Sequence, residues 1–295
     1  MKLTALGALA AVTALSLVTG CAASIGGASS TPSAVRAGGN DIHRILLTDD
    51  DGWNAAGIRQ MYRTLTAAGY DVTLVGPKVN QSGASMSAQG GDLKTHHSSA
   101  NPDFWWVDGT PVDAVRVALT GILSRKPDLV ISGANDGANA AYNVNYSGTI
   151  GAATEASQEG VPAIAVSADV DAQGDADFSA AASRTTRIVK SLTAGALSQM
   201  RHGVLVNVNV PVPGATGRFR VATQGRVSWN TVRYTKTSGN TWTPGYSSSG
   251  QGGVDSDKKW LAQGRTTLTV LTASRDNRHI PSANVTGVLR TLAGR

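Results

Sequence analysis

Residues 45–52 read Ile-Leu-Leu-Thr-Asp-Asp-Asp-Gly, and the reading of this stretch decides the fold. Ile45 to Thr48 form a short apolar run that stops abruptly at three carboxylates and a glycine, the pattern of a strand buried on both faces. Neighbouring side chains on a strand point to opposite faces, so Asp50 and Asp51 can share one ligand only if the backbone has already turned. Gly52 permits that turn. In an open parallel sheet, ligands bind in the crevice beyond the carboxyl ends of the strands. Adjacent carboxylates placed there suit a hard divalent cation. Taken alone, the stretch is equally readable as an Asp-Gly surface turn.

The flanking sequence favours the strand. Ile58, Met61, Tyr62 and Leu65 recur at helical spacing, and Gly69 stops the helix before an apolar strand at Asp71 to Val75. Strand, helix and strand predict a right-handed parallel unit. Gln81-Ser82-Gly83 then sits past the second strand's carboxyl end. Asp92 to Asn101 reads as a polar excursion in which His96 and His97 are solvated, and Phe104 to Val107 as a strand whose Trp105 and Trp106 serve packing. Asp108-Gly109-Thr110-Pro111 turns into a helix with Thr110 as N-cap, Pro111 at its first position, and Val115, Leu119 and Ile122 on its apolar face. Asp128 to Ser132 is another buried strand, and the loop leaving it carries Asn135.

Tyr146 to Ala153 is a small-residue turn entering a helix, where free amides and the positive helix end offer a seat for phosphate. Close helix packing explains the same glycines. Pro162 to Ser167 and Val204 to Val210 read as strands, and Phe178 to Met200 as one long helix. Thr231 to Lys259, rich in Ser, Gly, Thr and Trp, reads as a hairpin arm or mobile loop. Thr266 to Leu271 is a last strand and Ala283 to Leu292 a terminal helix. The alternation predicts an α/β fold: a Rossmann-like three-layer domain with a mostly parallel sheet, plus a carboxyl-terminal hairpin arm and helix.

The amino terminus stands apart. Met1-Lys2, an apolar run from Leu3 to Val18 and Thr19-Gly20-Cys21 have the form of an export signal, and Leu17 to Cys21 resemble a bacterial lipoprotein processing site. That implies cleavage before Cys21 and lipidation of its thiol; a plain cleavable signal, giving a secreted protein, is the alternative. Cys21 is the one cysteine in 295 residues, so a disulfide or a Cys-based zinc site has no partner residue. The expected organisation is a signal peptide at 1–20, a lipidated Gly/Ser/Ala leash at 21–40, a catalytic α/β domain at 41–230, and an arm, closing strand and helix at 231–295. The expected location is the cell envelope, with membrane contact through the lipid anchor only. Formal net charge is +6, without a basic run interleaved with aromatics, so no nucleic-acid polymer is expected as partner. A mild positive potential suits small anionic substrates.

Five blocks taken together resemble the survival protein E family of 5′/3′-nucleotidases: Leu46 to Gly52, Gln81 to Ser85, Gly109 to Pro111, Asp128 to Asn135 and Tyr146 to Thr149. The resemblance implies a metal-dependent phosphatase of nucleoside monophosphates with one divalent cation per subunit, Mg²⁺ or Mn²⁺. Asp50, Asp51, Ser82 and Asn135 would hold that ion, with Asp50, Asp51 and Asn135 as the catalytic set and a water on the metal as nucleophile. Asp49, Gly109, Thr110, Ser147, Gly148 and Thr149 would lie on the phosphate side. It also implies a homodimer or homotetramer built through the arm. The chain departs from the family pattern at Asp49, where Asn is usual, at Ala56, where Pro is usual, and at Ala134 and Asp136. A carboxylate at position 49 is expected to weaken phosphate binding modestly. Two other readings remain: a metal- and nucleotide-binding lipoprotein without turnover, and a phosphatase of polyphosphate or other phosphomonoesters.

Overall fold

In the computed structural model the described residues are 42–213, 218–227, 230–248, 250–273, 290 and 292–294. The expected export signal, Cys21, the expected leash and nearly all of the expected terminal helix lie outside them. Strand β1, Arg44–Thr48, is buried from Ile45 onward and is an interior strand, fourth from one edge, of a nine-stranded sheet. It is flanked by β2 (Asp71–Pro77) and by β5 (Leu129–Asp136), both parallel to it. The other strands of this sheet are β3 (Thr95–His97), β4 (Phe104–Val107), β6 (Ala163–Ala168), β7 (Val204–Val210), β8 (Phe219–Ala222) and β11 (Thr266–Thr272). Their order is β3-β4-β2-β1-β5-β6-β7-β11-β8. The chain runs outward from β1 to one edge and restarts at β5 on β1's other side, so a topological switch point falls between β1 and β5.

Helices cover both faces because β1 is apolar on both. Ile45 and Leu47 pack with Ile58, Met61 and Leu65 of α1 (Ala56–Ala67) and with Ile188 and Val189 of α4 (Phe178–Ser191). Leu46 packs on the opposite face with Ala114 and Val115 of α2 (Pro111–Val117) and with Ala152, Ala153 and Ala156 of α3 (Gly148–Gln158). The three-layer α/β expectation holds. The connections through α3 and through α4 both step one strand in the same direction, from β5 to β6 and from β6 to β7, yet these helices lie on opposite faces. The two crossovers therefore have opposite hands, although parallel crossovers are almost always right-handed.

Three expectations change, and of the two readings of residues 231–259 the hairpin holds. The polar excursion contains β3, paired antiparallel with β4, because His96 and His97 stand opposite Trp106 and Trp105 and pack on their rings. The single helix at 178–200 is two: Leu192 turns extended (ψ 136°), and Thr193 caps α5, Ala194–Gln199, by accepting from the Ala196 amide. The 231–259 segment is an ordered hairpin, β9 (Asn230–Ser238) with β10 (Thr241–Ser248), followed by α6 (Asp257–Ala262). Strand β5 runs on through Asn135 to Asp136 instead of ending at Ser132.

Helix α1 crosses β5 at Gly57, where a Cβ would lie 1.9 Å from the Ala134 carbonyl oxygen and 3.0 Å from the Phe178 ring. Gly57→Ala is expected to lower the unfolding free energy by about 1–3 kcal/mol, the usual cost of forcing an extra methyl into a filled space. Gly121→Ala, where a Cβ meets nothing within 4 Å, is the control. Equal urea midpoints for the two variants would refute this packing.

Candidate active site

Four chain segments meet beyond the carboxyl ends of β1, β2 and β5. After Thr48 the chain turns at Gly52 (φ +107°), and the turn is tied to the β2 exit by hydrogen bonds from Trp53 N to Pro77 O (2.9 Å) and from Gln81 N to Asp50 O (2.7 Å). Asp51 is the junction. Its Oδ1 accepts from Asn80 Nδ2 at 3.0 Å and from Ser82 Oγ at 3.4 Å, and its Oδ2 accepts from the Asp136 amide at 2.7 Å. Asp50 reaches the third wall: its Oδ1 accepts from Thr149 Oγ1 at 2.5 Å, and a Cβ on Gly148 would come within 2.7 Å of Asp50 Cβ. Only glycine lets the start of α3 approach that closely.

A β-bulge aims Asn135. Ser132 pairs with Ala165 but Asn135 with Ser167, so three steps on β5 match two on β6. Strict alternation would send Asn135 to the α1 side; the extra residue returns it to the α3 side, where the site lies. Gly133 carries the bulge at φ +130°, with a would-be Cβ 2.2 Å from Val166 O. Asn135 Nδ2 donates to Gly137 O at 2.6 Å, which leaves its side-chain oxygen as the ligating end. Ser147 caps α3 by accepting from Ile150 N, and Ser85 N and Oγ hold the preceding turn through Tyr146 O and Asn145 O.

The structure thus brings together Asp50, Asp51, Ser82, Asn135, Gly148 and Thr149, with Ser147 beside them. Gly109 and Thr110 serve a different end of the same loop. Thr110 Oγ1 donates to Ser87 O at 2.7 Å, contacts Asp113, and caps α2 as expected. Asp49 is fully buried, with Oδ1 accepting from the Asp50 amide at 2.9 Å. Sequence reasoning missed two residues, Asn80 and Asn139. Asn80 clamps Asp51 and also accepts from Ser82 N at 2.7 Å; Asn139 stands behind Thr149. The only available hint was their position, Asn80 directly before Gln81-Ser82-Gly83 and Asn139 four residues after Asn135. Trp106 does pack as expected, stacked on Trp53 with centroids 4.4 Å apart. Among the described residues no three His, Cys, Asp or Glu side chains are placed to hold a metal ion together; His96 pairs with Asp108 at 3.2 Å and His97 with the Pro102 carbonyl at 2.9 Å.

The donor set fits a hard cation: two carboxylates, a hydroxyl and an amide oxygen. Its charge is uncompensated. Burial first, then the Asp51 and Asp50 charges, raise the Asp49 carboxyl well above its ordinary range. Asp51 is pushed up to about 6, by burial and then by the charges of Asp50 and Asp136, against hydrogen bonds from the Asp136 amide and Ser82.

Both carboxyls therefore hold a proton more tightly in the folded than in the unfolded chain. Between the ordinary carboxylate range, about pH 4, and the folded value near 6 for Asp51, the native state carries the extra protons. Stability of the metal-free protein is expected to fall as pH rises through that window. Urea unfolding in EDTA at fixed ionic strength measures it, and Asp49→Asn should flatten the slope and raise stability at neutral pH. A slope of opposite sign in the parent protein would contradict these assignments.

The sequence profile of a family described as Survival protein SurE matches residues 45–231. The 5′-nucleotidase SurE of Nitrosomonas europaea is 44% identical over 168 residues, which is 57% of this chain and 65% of that protein. The protein of the same name from Syntrophobacter fumaroxidans is 41% identical over 171 residues, 57% of this chain and 66% of that one. The match thus spans just under two thirds of the length of these curated relatives. Among solved structures, the SurE protein from Aquifex aeolicus superposes with a TM-score of 0.65 at 29% identity, covering 79% of this chain and 95% of that one. With a profile match over more than half its length, and in the segment that builds the acidic junction, this chain belongs to the survival protein SurE family.

Proposed function

We propose that this protein is a divalent metal-dependent 5′-nucleotidase, hydrolysing nucleoside monophosphates to nucleoside and phosphate. The observation that carries this reading is the Asp51 junction, in which one carboxylate gathers Ser82, Asn80 and the strand bearing Asn135, with the amino terminus of α3 against its neighbour Asp50. The names of the relatives support the substrate class.

Asp50, Asp51, Ser82 and Asn135 would hold one Mg²⁺ or Mn²⁺, which supplies Lewis-acid polarisation of the phosphoryl group and activation of water. The protein's own part is positioning and charge. The backbone amides of Gly148 and Thr149 and the Ser147 hydroxyl present donors and a positive helix end to phosphate oxygens. Asp49 stands behind this arrangement as a buried carboxyl beside Asp50 and Asp51, and burial together with their charges favours its protonated form. The carboxyl at position 49 is also what favours the alternative reading, binding of metal and nucleotide without turnover.

The exposed apolar side chains of the hairpin, Val232, Tyr234 and Trp242, support assembly of a homodimer or homotetramer through that arm. The amino-terminal signal and Cys21 support an envelope location, where released phosphate and nucleoside are available for uptake.

Phosphate release from a panel of 5′- and 3′-nucleotides, polyphosphate and p-nitrophenyl phosphate tests the proposal. With Mn²⁺ or Mg²⁺ the purified protein should turn over 5′-nucleotides, lose activity in EDTA, and lose about 100-fold or more in Asp50→Ala, as expected for removal of a metal ligand. Mn²⁺ and nucleotide binding without any phosphate release would instead establish the non-catalytic reading.

A further inference from the structure

The Thr149 hydroxyl lies between a carboxylate and an amide. It donates to Asp50 Oδ1 and accepts from Asn139 Nδ2 at 3.2 Å. A carboxylate only accepts, so the hydroxyl proton points at Asp50, and the group on the other side of Thr149 has to be a donor. Asn139 Nδ2 also donates to Ser167 Oγ at 3.0 Å, which commits both amide protons. Flipped by 180°, the amide would set its oxygen against the Thr149 hydroxyl and draw that proton away from Asp50.

The backbone of Asn139 is held separately from its side chain. Its N–H donates to Asn209 Oδ1 at 2.8 Å, and its carbonyl accepts from Asn207 Nδ2 at 2.7 Å and Asn209 Nδ2 at 3.0 Å. Two residues on, the Ala141 amide donates to the buried Asp257 carboxylate at 3.0 Å. Asn207, Asn209, Ser167 and Thr149 are all fully buried. The loop is therefore anchored to β7 and α6 whatever side chain stands at position 139.

We propose that Asn139 is a positioning residue: acting through Thr149, it fixes the Asp50 carboxylate in the orientation that faces the cation seat shared with Asp51, Ser82 and Asn135. Asn139 bonds Thr149, Ser167, Asn207 and Asn209 and acts on the seat only through Thr149. The role rests on the metal-site reading above, and it extends the site from the acidic turn into the sheet, to β6 and β7.

The test is Mn²⁺ affinity of the full-length, metal-free protein, measured by electron paramagnetic resonance or calorimetric titration. Asn139→Leu should raise the Mn²⁺ Kd about tenfold, the low end of the effect of losing an outer-shell partner of a ligand. Thr149→Val should raise it at least as much, and the double variant should be no weaker than Thr149→Val alone, because the two act in series. Thr149→Ser keeps the hydroxyl and should bind like the parent. A Kd unchanged by Asn139→Leu, or effects of the two substitutions that multiply, would overturn the role. Should Asn139→Leu fail to fold, Ser167→Ala decides: it frees the outer end of the amide and should raise the Kd about threefold, and an unchanged Kd there also overturns the proposal. Parent protein that binds no Mn²⁺ would overturn the metal-site reading itself, whereas tight binding with insensitive variants overturns only the positioning role.

Discussion

Mutual repulsion among three consecutive carboxylates, at the buried end of one strand, is the constraint to which the surrounding loops are fitted. In a water-poor site such charges interact far more strongly than on a surface. The charges that act on Asp49 come from Asp51 and Asp50, and those that act on Asp51 come from Asp50 and Asp136, so every one of them is a carboxylate. Uncharged donors are therefore spread around them: the Asp136 amide, Asn80 and Ser82 on Asp51, Thr149 on Asp50, the Asp50 amide on Asp49. Most of these donors come from separate loops, so the repulsion that destabilises the turn is also what ties those loops to it. A proton relieves the same strain, and a cation held there would relieve it too.

Holding the loops that close requires backbone without side chains at a few positions. Gly148 lets α3 rest on Asp50, Gly151 lets it rest on the Ser85 carbonyl, and Gly133 carries the bulge over Val166. None of these is a flexible hinge in this setting. They are contact points at which a methyl group has no room, so the rigidity of the site and the small residues of its sequence are one property.

Much of this was legible. The β1, β2, β4 and β7 strands, the capped start of α2 and the turn into α3 follow from apolar runs ended by glycine, proline or a capping residue, signals that are local in sequence. What escaped is non-local. Strand β3 is polar, and it forms because His96 and His97 find Trp106 and Trp105 on the neighbouring strand. The break at Leu192 lies inside a pattern whose helical periodicity continues across it. The oxygen-bearing side chains that gather at the strand ends stand out by residue type, but Asn80 and Asn139 are ordinary loop asparagines by sequence. Their importance arises only when a carboxylate or a hydroxyl from another segment arrives beside them. The bulge that turns Asn135 toward α3 was equally hidden, since a register shift is a relation between two strands.

The face of the sheet under α3 explains how so local a charge cluster is supported from a distance. Two cross-strand rows run away from the acidic turn: Thr48, Ser132, Ala165, Asn207 and Thr269, then Asn135, Ser167, Asn209 and Thr267. All but the alanine are polar and all are buried; Ser167, Asn207 and Asn209 bond Asn139, whereas the hydroxyls of Thr48, Ser132, Thr267 and Thr269 find no protein partner. An apolar face would contribute more burial energy, yet it would give Asn139 nothing to bond, and the loop carrying it would need another anchor. Apolar packing is non-directional, whereas a hydrogen-bonded network admits one arrangement. On the opposite face, where Val166, Val206 and Val208 meet α4, no such direction is needed and the core is hydrophobic. The two faces of the sheet thus have different roles. One supplies stability through packing, and the other transmits the position of β6 and β7 to a single carboxylate at β1's carboxyl end.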